Sequence, residues 1–400
     1  MKSKKLFIVV VLLFVMALLT GCGTETEEKK KENSNESGVD VTETLEPSYS
    51  NVGNYIEYNG NIYYWKLTPS SRDETALFAK YSPIKESKVD LVRMEPDGNE
   101  FSVVNTAGNG NIYIANDVIF YQSTEDGENK VYSVDLGGNN KKTYVKGEIN
   151  YASGNYIYIQ SGADIVVLNA KTGEQELIVN SADLIGMAAG NAFYISGDSS
   201  KSISINYIKG GENNTNIATF NTSEYKSEYG SDKNITFYGF SCENNKVAIK
   251  VGDVQGTGHF VQEGWVIEMD ADGQNVTKRI DDDDNEEGAP TLLEATDMPV
   301  SYNTEKGLLY KDPDNGSEKV IVDNNKIKSE FGFKTYNDDE EVFIEVYSAD
   351  KVGDKLYIVI DNGTHYPAGD IGWRYSYKRT KTAAFKYDLG SGKIEKLYEF

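Results

Sequence analysis

Only two histidines occur in this 400-residue chain, and they stand in similar surroundings. His259 lies in GDVQGTGHFVQEGW and His365 in DNGTHYPAGDIGW. Each is preceded by Gly and Thr, followed by an aromatic residue, and trailed by an acid and a Trp. Imidazole and carboxylate together suit a transition metal, and Asp281, Asp282, Asp283 and Asp284 supply a dense run of carboxylates. The same oxygen donors suit calcium. Asp270–Asn275, DADGQN, has the opening of a calcium loop without its later bidentate Glu. Neither set has the short ligand spacing of a built metal site, so long solvated loops remain the plainer reading. Calcium is the one cofactor left open.

A second constellation is WRYSYKRTK, Trp373–Lys381. Read with a period of two, Trp373, Tyr375 and Tyr377 share one side of a strand, and Arg374, Ser376 and Lys378 the other. Aromatic faces flanked by donors can stack on a sugar ring or hold an anionic polymer or peptide. The alternative is an extended hairpin whose aromatics pack on its own sheet and whose cations pair with neighbouring acids. Catalysis has little support: there is no Gly-x-Ser-x-Gly elbow, no His-Glu-x-x-His and no phosphate-binding glycine loop. A carboxylate pair for glycosidic work cannot be picked by spacing from 63 acids.

The elements that must carry these residues are strands. From Asn51 onward the chain alternates short runs rich in Tyr, Ile and Val with Gly, Asn and Asp turns, and no 3.6-residue apolar period stands out. One hairpin unit recurs: LVRMEPDGNEFSVV, VYSVDLGGNNKKTYV, IVVLNAKTGEQELIV, ISINYIKGGENNTNIATF, WVIEMDADGQNVTKRI, LLYKDPDNGSEKVIV and AAFKYDLGSGKIEKLY. Its turns carry Gly98, Gly138, Gly173, Gly211, Gly273, Gly316 and Gly392. A second strand pair precedes most hairpins, such as NYIEYNGNIYYWK or NIYIANDVIFYQS; for the sixth unit, which is less clear, TLLEATDMPVSYN is the candidate. Four antiparallel strands repeated seven times make an all-β chain with a single seven-bladed β-propeller over 51–400. The gap of 76 residues between Gly316 and Gly392 leaves room for an eighth blade, and six is the other alternative. By this topology His259 and His365 both fall between second and third strands, on one face, with the acidic linkers.

Tyr/Trp-rich second strands such as IYYW, and third strands ending near Asp-x-x-Gly (VDLGG, MDADG, YDLGSG), resemble the YWTD-type propellers of low-density-lipoprotein receptors. They are more similar to uncharacterised bacterial lipoproteins with a propeller of that type. YWTD itself is absent, and YYWK lacks its Thr and Asp. The resemblance implies a fold and an interaction role, with no shared catalytic set.

At the N-terminus, Lys2, Lys4 and Lys5 precede the apolar run Leu6–Leu19, which is shorter than the roughly 20 residues of a membrane span. This reads as a secretory signal. Leu19-Thr20-Gly21-Cys22 resembles the lipobox of bacterial lipoproteins, which implies cleavage after Gly21 and a diacylglycerol thioether on Cys22. Residues 1–21 are then the signal and 22–50 a lipidated, polar tether too poor in apolar residues to fold. Removing the signal's three lysines takes the formal charge from −23 to −26, which argues against nucleic acid as a partner. The expectation is a monomeric, extracytoplasmic lipoprotein on the cell membrane, a binding scaffold for a protein, peptide or cell-wall glycan. The competing expectation is a carbohydrate-active or metal-dependent enzyme using the His259/His365 face.

Overall fold

A computed structural model describes residues 53–67, 88–107, 110–125, 127–221, 235–243, 245–255, 260–280, 298–312, 316–335, 342–367 and 375–400. The first sheet joins β1 (Tyr55–Tyr58), β2 (Asn61–Lys66), β3 (Lys88–Met94) and β4 (Glu100–Ala107). The second joins β5 (Ile112–Ala115), β6 (Val118–Glu125), β7 (Glu128–Asp135) and β8 (Lys142–Lys146). The third joins β9 (Glu148–Ser153), β10 (Tyr156–Ser161), β11 (Asp164–Asn169) and β12 (Gln175–Val179). The fourth joins β13 (Ala182–Ala188), β14 (Asn191–Asp198), β15 (Ser202–Lys209) and β16 (Glu212–Asn221). The fifth joins β17 (Ile235–Glu243), β18 (Lys246–Gln255), β19 (Phe260–Asp270) and β20 (Thr277–Ile280). The sixth joins β21 (Val300–Asn303), β22 (Gly307–Lys311) and β23 (Glu318–Asp323). The seventh joins β24 (Val342–Val352), β25 (Lys355–Pro367), β26 (Tyr375–Asp388) and β27 (Ile394–Glu399).

Every sheet is an antiparallel meander of consecutive strands. First strands adjoin one another, β1 beside β5 and β24, β13 beside β9 and β17, β21 beside β24. They form the inner ring. Fourth strands such as β8 and β12 are largely exposed and form the rim. This is a seven-bladed β-propeller, and the long interval before Gly392 holds the seventh blade's extended strands and a helix among its described residues.

The apolar runs are continuous because second strands bury both faces. On β2, Tyr63 and Trp65 pack toward Leu91, Ile112 and Tyr121, while Ile62 and Tyr64 turn to the opposite side against Tyr357 and Val359 of blade seven. On β10, Ile157 and Ile159 face blade two and Tyr158 faces blade four. On β25, Leu356, Ile358 and Ile360 face blade six and Tyr357 and Val359 face blade one. Each blade therefore lends one face to each neighbour, and the core is a ring of inter-blade layers.

Blade six departs from the expected pattern. Only Val300–Asn303 of TLLEATDMPVSYN forms a described strand, and the hairpin after it supplies β22 and β23, the second and third strands. Helix α1 (Asn324–Phe331) follows. Asp323 caps it by accepting from the Lys326 N–H, Gly332 ends it in the left-handed region, and Ile327 and Phe331 form its buried stripe. Among the described residues no helix is long and apolar enough to cross a membrane.

The hairpin turns use glycine as expected, with one shift: Gly210, not Gly211, takes the positive φ in the fourth blade. Gly138 has a further constraint, since a Cβ there would come within 2.0 Å of the Val103 carbonyl oxygen on β4 of blade one. Gly98 has a similar φ but open space around it. Gly138→Ala is expected to lower stability by about 1–3 kcal/mol more than Gly98→Ala. Urea denaturation of both variants checks this, and equal midpoints would contradict the packing of the blade-two turn on blade one.

Candidate functional site

Among the described residues blade seven carries the longest hairpin, β25 with β26, 13 and 14 residues. The described part of the inner strand β24 pairs with β25 from Val352 to Val342, the latter opposite Thr364. On the outer side β27 pairs with β26 up to Ala383, and Phe400 bonds to Thr382. His365–Pro367 and Tyr375–Tyr377 form the described tip of this hairpin, at the end where second strands pass to third.

The hairpin tip brings together residues that sequence reasoning placed in separate candidates. His365 pairs directly opposite Tyr377, Pro367 opposite Tyr375, and Thr364 opposite Lys378. His365, Tyr375 and Tyr377 thus occupy one face of the hairpin by register, and Lys378 the other. His259, Asp281, Asp282, Asp283, Asp284, Trp373, Arg374 and Cys22 lie outside the described residues. By chain order His259 falls between β18 and β19 of blade five, whereas His365 lies within β25, the second strand of blade seven, rather than in the connection after it.

At the root of this tip sits a charge cluster that the spacing arguments missed. Arg379 on β26 donates from Nε to Asp361 Oδ2 on β25 at 3.0 Å and approaches Glu345 Oε2 on β24 at 3.6 Å. Thr382 donates to Asp361 Oδ1 at 2.6 Å. The Asp361 side chain is 0% exposed and that of Arg379 9%, whereas Glu345 keeps 32%. Nearby, Asn362 donates to the carbonyls of Lys334 and Phe343 and accepts from the Lys334 N–H, tying the hairpin to the segment after α1. Lys381 donates to the Phe331 carbonyl at 2.6 Å and pairs with Glu399 at 3.1 Å. Within WRYSYKRTK, then, Arg379 and Lys381 bind acids of their own blade, and Lys381 also binds the end of α1.

The Asp- and Gly-containing turns after the third strands have a structural role. Asp135 accepts from the N–H groups of Gly137 and Asn139 at 3.0 and 2.8 Å, and Asp388 from the N–H and hydroxyl of Ser391 at 2.6 and 2.7 Å. These donors hold both carboxyls below the usual carboxylate range. In DADGQN, Asp270 binds Lys246 and the Asn275 amide, and Asp272 accepts from Gln274 N–H at 3.2 Å. Among the described residues no group of three or more His, Cys, Asp or Glu is placed to hold a metal ion. Cys242 is buried in the layer between blades four and five.

No family profile matches the chain, and no curated protein is similar to it in sequence. Several solved propellers are similar in structure. The β-propeller domain of the Trilobed protease from Pyrococcus furiosus is 10% identical, with 88% of this chain and 98% of that one covered and a TM-score of 0.41. An acylaminoacyl peptidase from Pyrococcus horikoshii is 10% identical with a TM-score of 0.35, covering 88% of this chain and 52% of that one, so this chain spans about half its length. A chain of a nidogen/laminin complex is 9% identical with a TM-score of 0.28, covering 78% and 89%. Membership of the β-propeller class rests on the sheet topology of this chain itself.

Removing one member of a buried ion pair strands the other. Arg379→Ala is expected to cost about 3–5 kcal/mol, and Arg379→Met combined with Asp361→Leu less than Arg379→Ala alone. Chemical denaturation of the three proteins tests this; a loss under about 1 kcal/mol for Arg379→Ala would show that the pair is solvated.

Proposed function

We propose that the chain is an extracytoplasmic lipoprotein, anchored to the cell membrane through Cys22, whose YWTD-type propeller is a binding scaffold for a peptide, protein or cell-wall glycan. The observation that carries the scaffold reading is the long β25–β26 hairpin, with His365, Tyr375 and Tyr377 on one face by register. An aromatic row on a hairpin held at its root by Asp361, Arg379 and Asn362 presents contact area at small entropic cost. The acidic charge of the chain favours solubility and cationic or neutral ligands. The anchor reading is supported by the Leu6–Leu19 run and Leu19-Thr20-Gly21-Cys22, and the YWTD type by the Asp-x-x-Gly turns.

Two measurements check these parts separately. In cells fed a labelled fatty acid, Cys22→Ser is expected to abolish incorporation into the protein; continued labelling would refute the anchor. Tyr377→Ala or Trp373→Ala is expected to weaken retention on cell-wall fragments by about tenfold with an unchanged melting temperature. Equal retention by both variants and the parent would remove the hairpin as the contact surface.

A further inference from the structure

The face that blade seven turns toward blade one contains a second acid, Asp350, whose surroundings differ from those of Asp361. A bulge in β24 between Val346 and Ser348 shifts the register, so Glu345 opposite Asp361 and Asp350 opposite Tyr357 share that face despite their odd spacing. Asp350 Oδ2 is shut off from solvent and has no hydrogen-bond partner. Its Oδ1 lies so close to Gly53 that a Cβ there would come within 2.6 Å. Gly53 is held from its other side by a two-way backbone bridge to Ile112 of β5, at 2.9 and 3.2 Å. The chain entering blade one is thus clamped between blade two and a carboxyl of blade seven.

We propose that Asp350 is a proton-operated latch on the seam that closes the ring, shut while its carboxyl is neutral and loosened when it ionises. Among the described residues the seam has no shared strand: the first sheet takes its strands from one end of the chain and the seventh from the other. Whatever weakens side-chain packing there acts directly on closure. The groups facing Asp350 offer an anion almost nothing. From β1 comes the Tyr55 hydroxyl, which lies 3.4 Å from that of Tyr398 on β27. Beside Asp350 on β25 stands Tyr357, surrounded by Glu57, Asp354 and Glu395. Burial raises both phenols, so neither helps as a charged partner. Lys386, the cation in that cross-strand row, is bound to Glu395 at 2.8 Å. The favourable contact for the ionised form is the Asn54 backbone N–H, and burial outweighs it, pushing the carboxyl up to about 7.

The direction follows from linkage. An open seam returns Asp350 to an ordinary carboxylate value near 4, so the closed state holds the extra proton between about pH 4 and about pH 7. Closure is strongest below that window, weakens as pH rises through it, and changes no further above about pH 7.

Amide hydrogen exchange on the full-length chain in detergent, corrected for intrinsic rates, tests the latch. Protection of β1 and β24 is expected to fall by about a hundredfold between about pH 5 and about pH 7.5, with β10 and β11 nearly constant. The fall should run at about tenfold per pH unit and level off above about pH 7. Asp350→Asn, neutral at every pH, should abolish it. A constant ratio of seam to β10–β11 protection in the parent would overturn the proposal, as would the same fall in Asp350→Asn. Should that variant not fold, the slope and plateau in the parent still decide: a fall that continues unchanged above about pH 7 contradicts an origin in Asp350.

Discussion

A ring of blades is only as strong as its last joint, and here that joint is made by tyrosines. Tyr55 stacks between Tyr64 and Tyr357, with ring centroids 5.2 Å apart on each side. Tyr64 lies parallel to Tyr398 at 6.3 Å, and Tyr398 to Phe400 at the same distance. Ile62, Leu67 and Val92 of blade one and Val359 and Ala384 of blade seven fill the rest of the layer. Because each sheet is built from consecutive strands, backbone hydrogen bonds stabilise blades individually. Among the described residues, side-chain burial is what joins the first blade to the last. The cost of bringing together residues some 300 positions apart is met by contacts that form last in any folding order by proximity.

Blade seven joins two kinds of construction on one face. Its middle meets blade one through rings and aliphatic groups, whereas its end carries Glu345, Asp361, Arg379 and Thr382. At that polar end β24 still pairs with β25, Glu345 opposite Asp361, and charged side chains take the place of an apolar layer. A buried arginine with fixed acceptors orients the strands there, and a buried ion pair is better understood as specifying geometry than as adding net stability. The proposed binding strip begins where this cluster stops, so the rigidity of the strip derives from the charge cluster at its root.

Much of the architecture was legible because turns and apolar runs are local signals. NYIEYNGNIYYWK already contains both strands of a pair and the Asn59–Gly60 turn whose positive φ values join them. Helix α1 was not legible: eight residues with only Ile327 and Phe331 as apolar anchors give no sustained period. The site was legible only in composition. His365 and Tyr377 are twelve residues apart and meet because the hairpin register makes them opposite. Arg379 and Asp361 are joined across the same hairpin past a bulge at Asn362–Gly363, which no spacing rule anticipates. Asp350 was one acid among 63 until the bulge in β24 and the bare Cα of Gly53 gave it a place.

Closure by packing between the ends of the chain is most directly tested by a double-mutant cycle across the seam. Tyr55→Leu and Tyr357→Leu, singly and together, are compared by urea denaturation at about pH 5, where the Asp350 carboxyl is neutral. The stacked pair predicts a coupling energy of about 0.5–1.5 kcal/mol between residues of the first and last blades. Additivity to within about 0.3 kcal/mol would mean that the two rings do not meet and that the ring is not closed in this way.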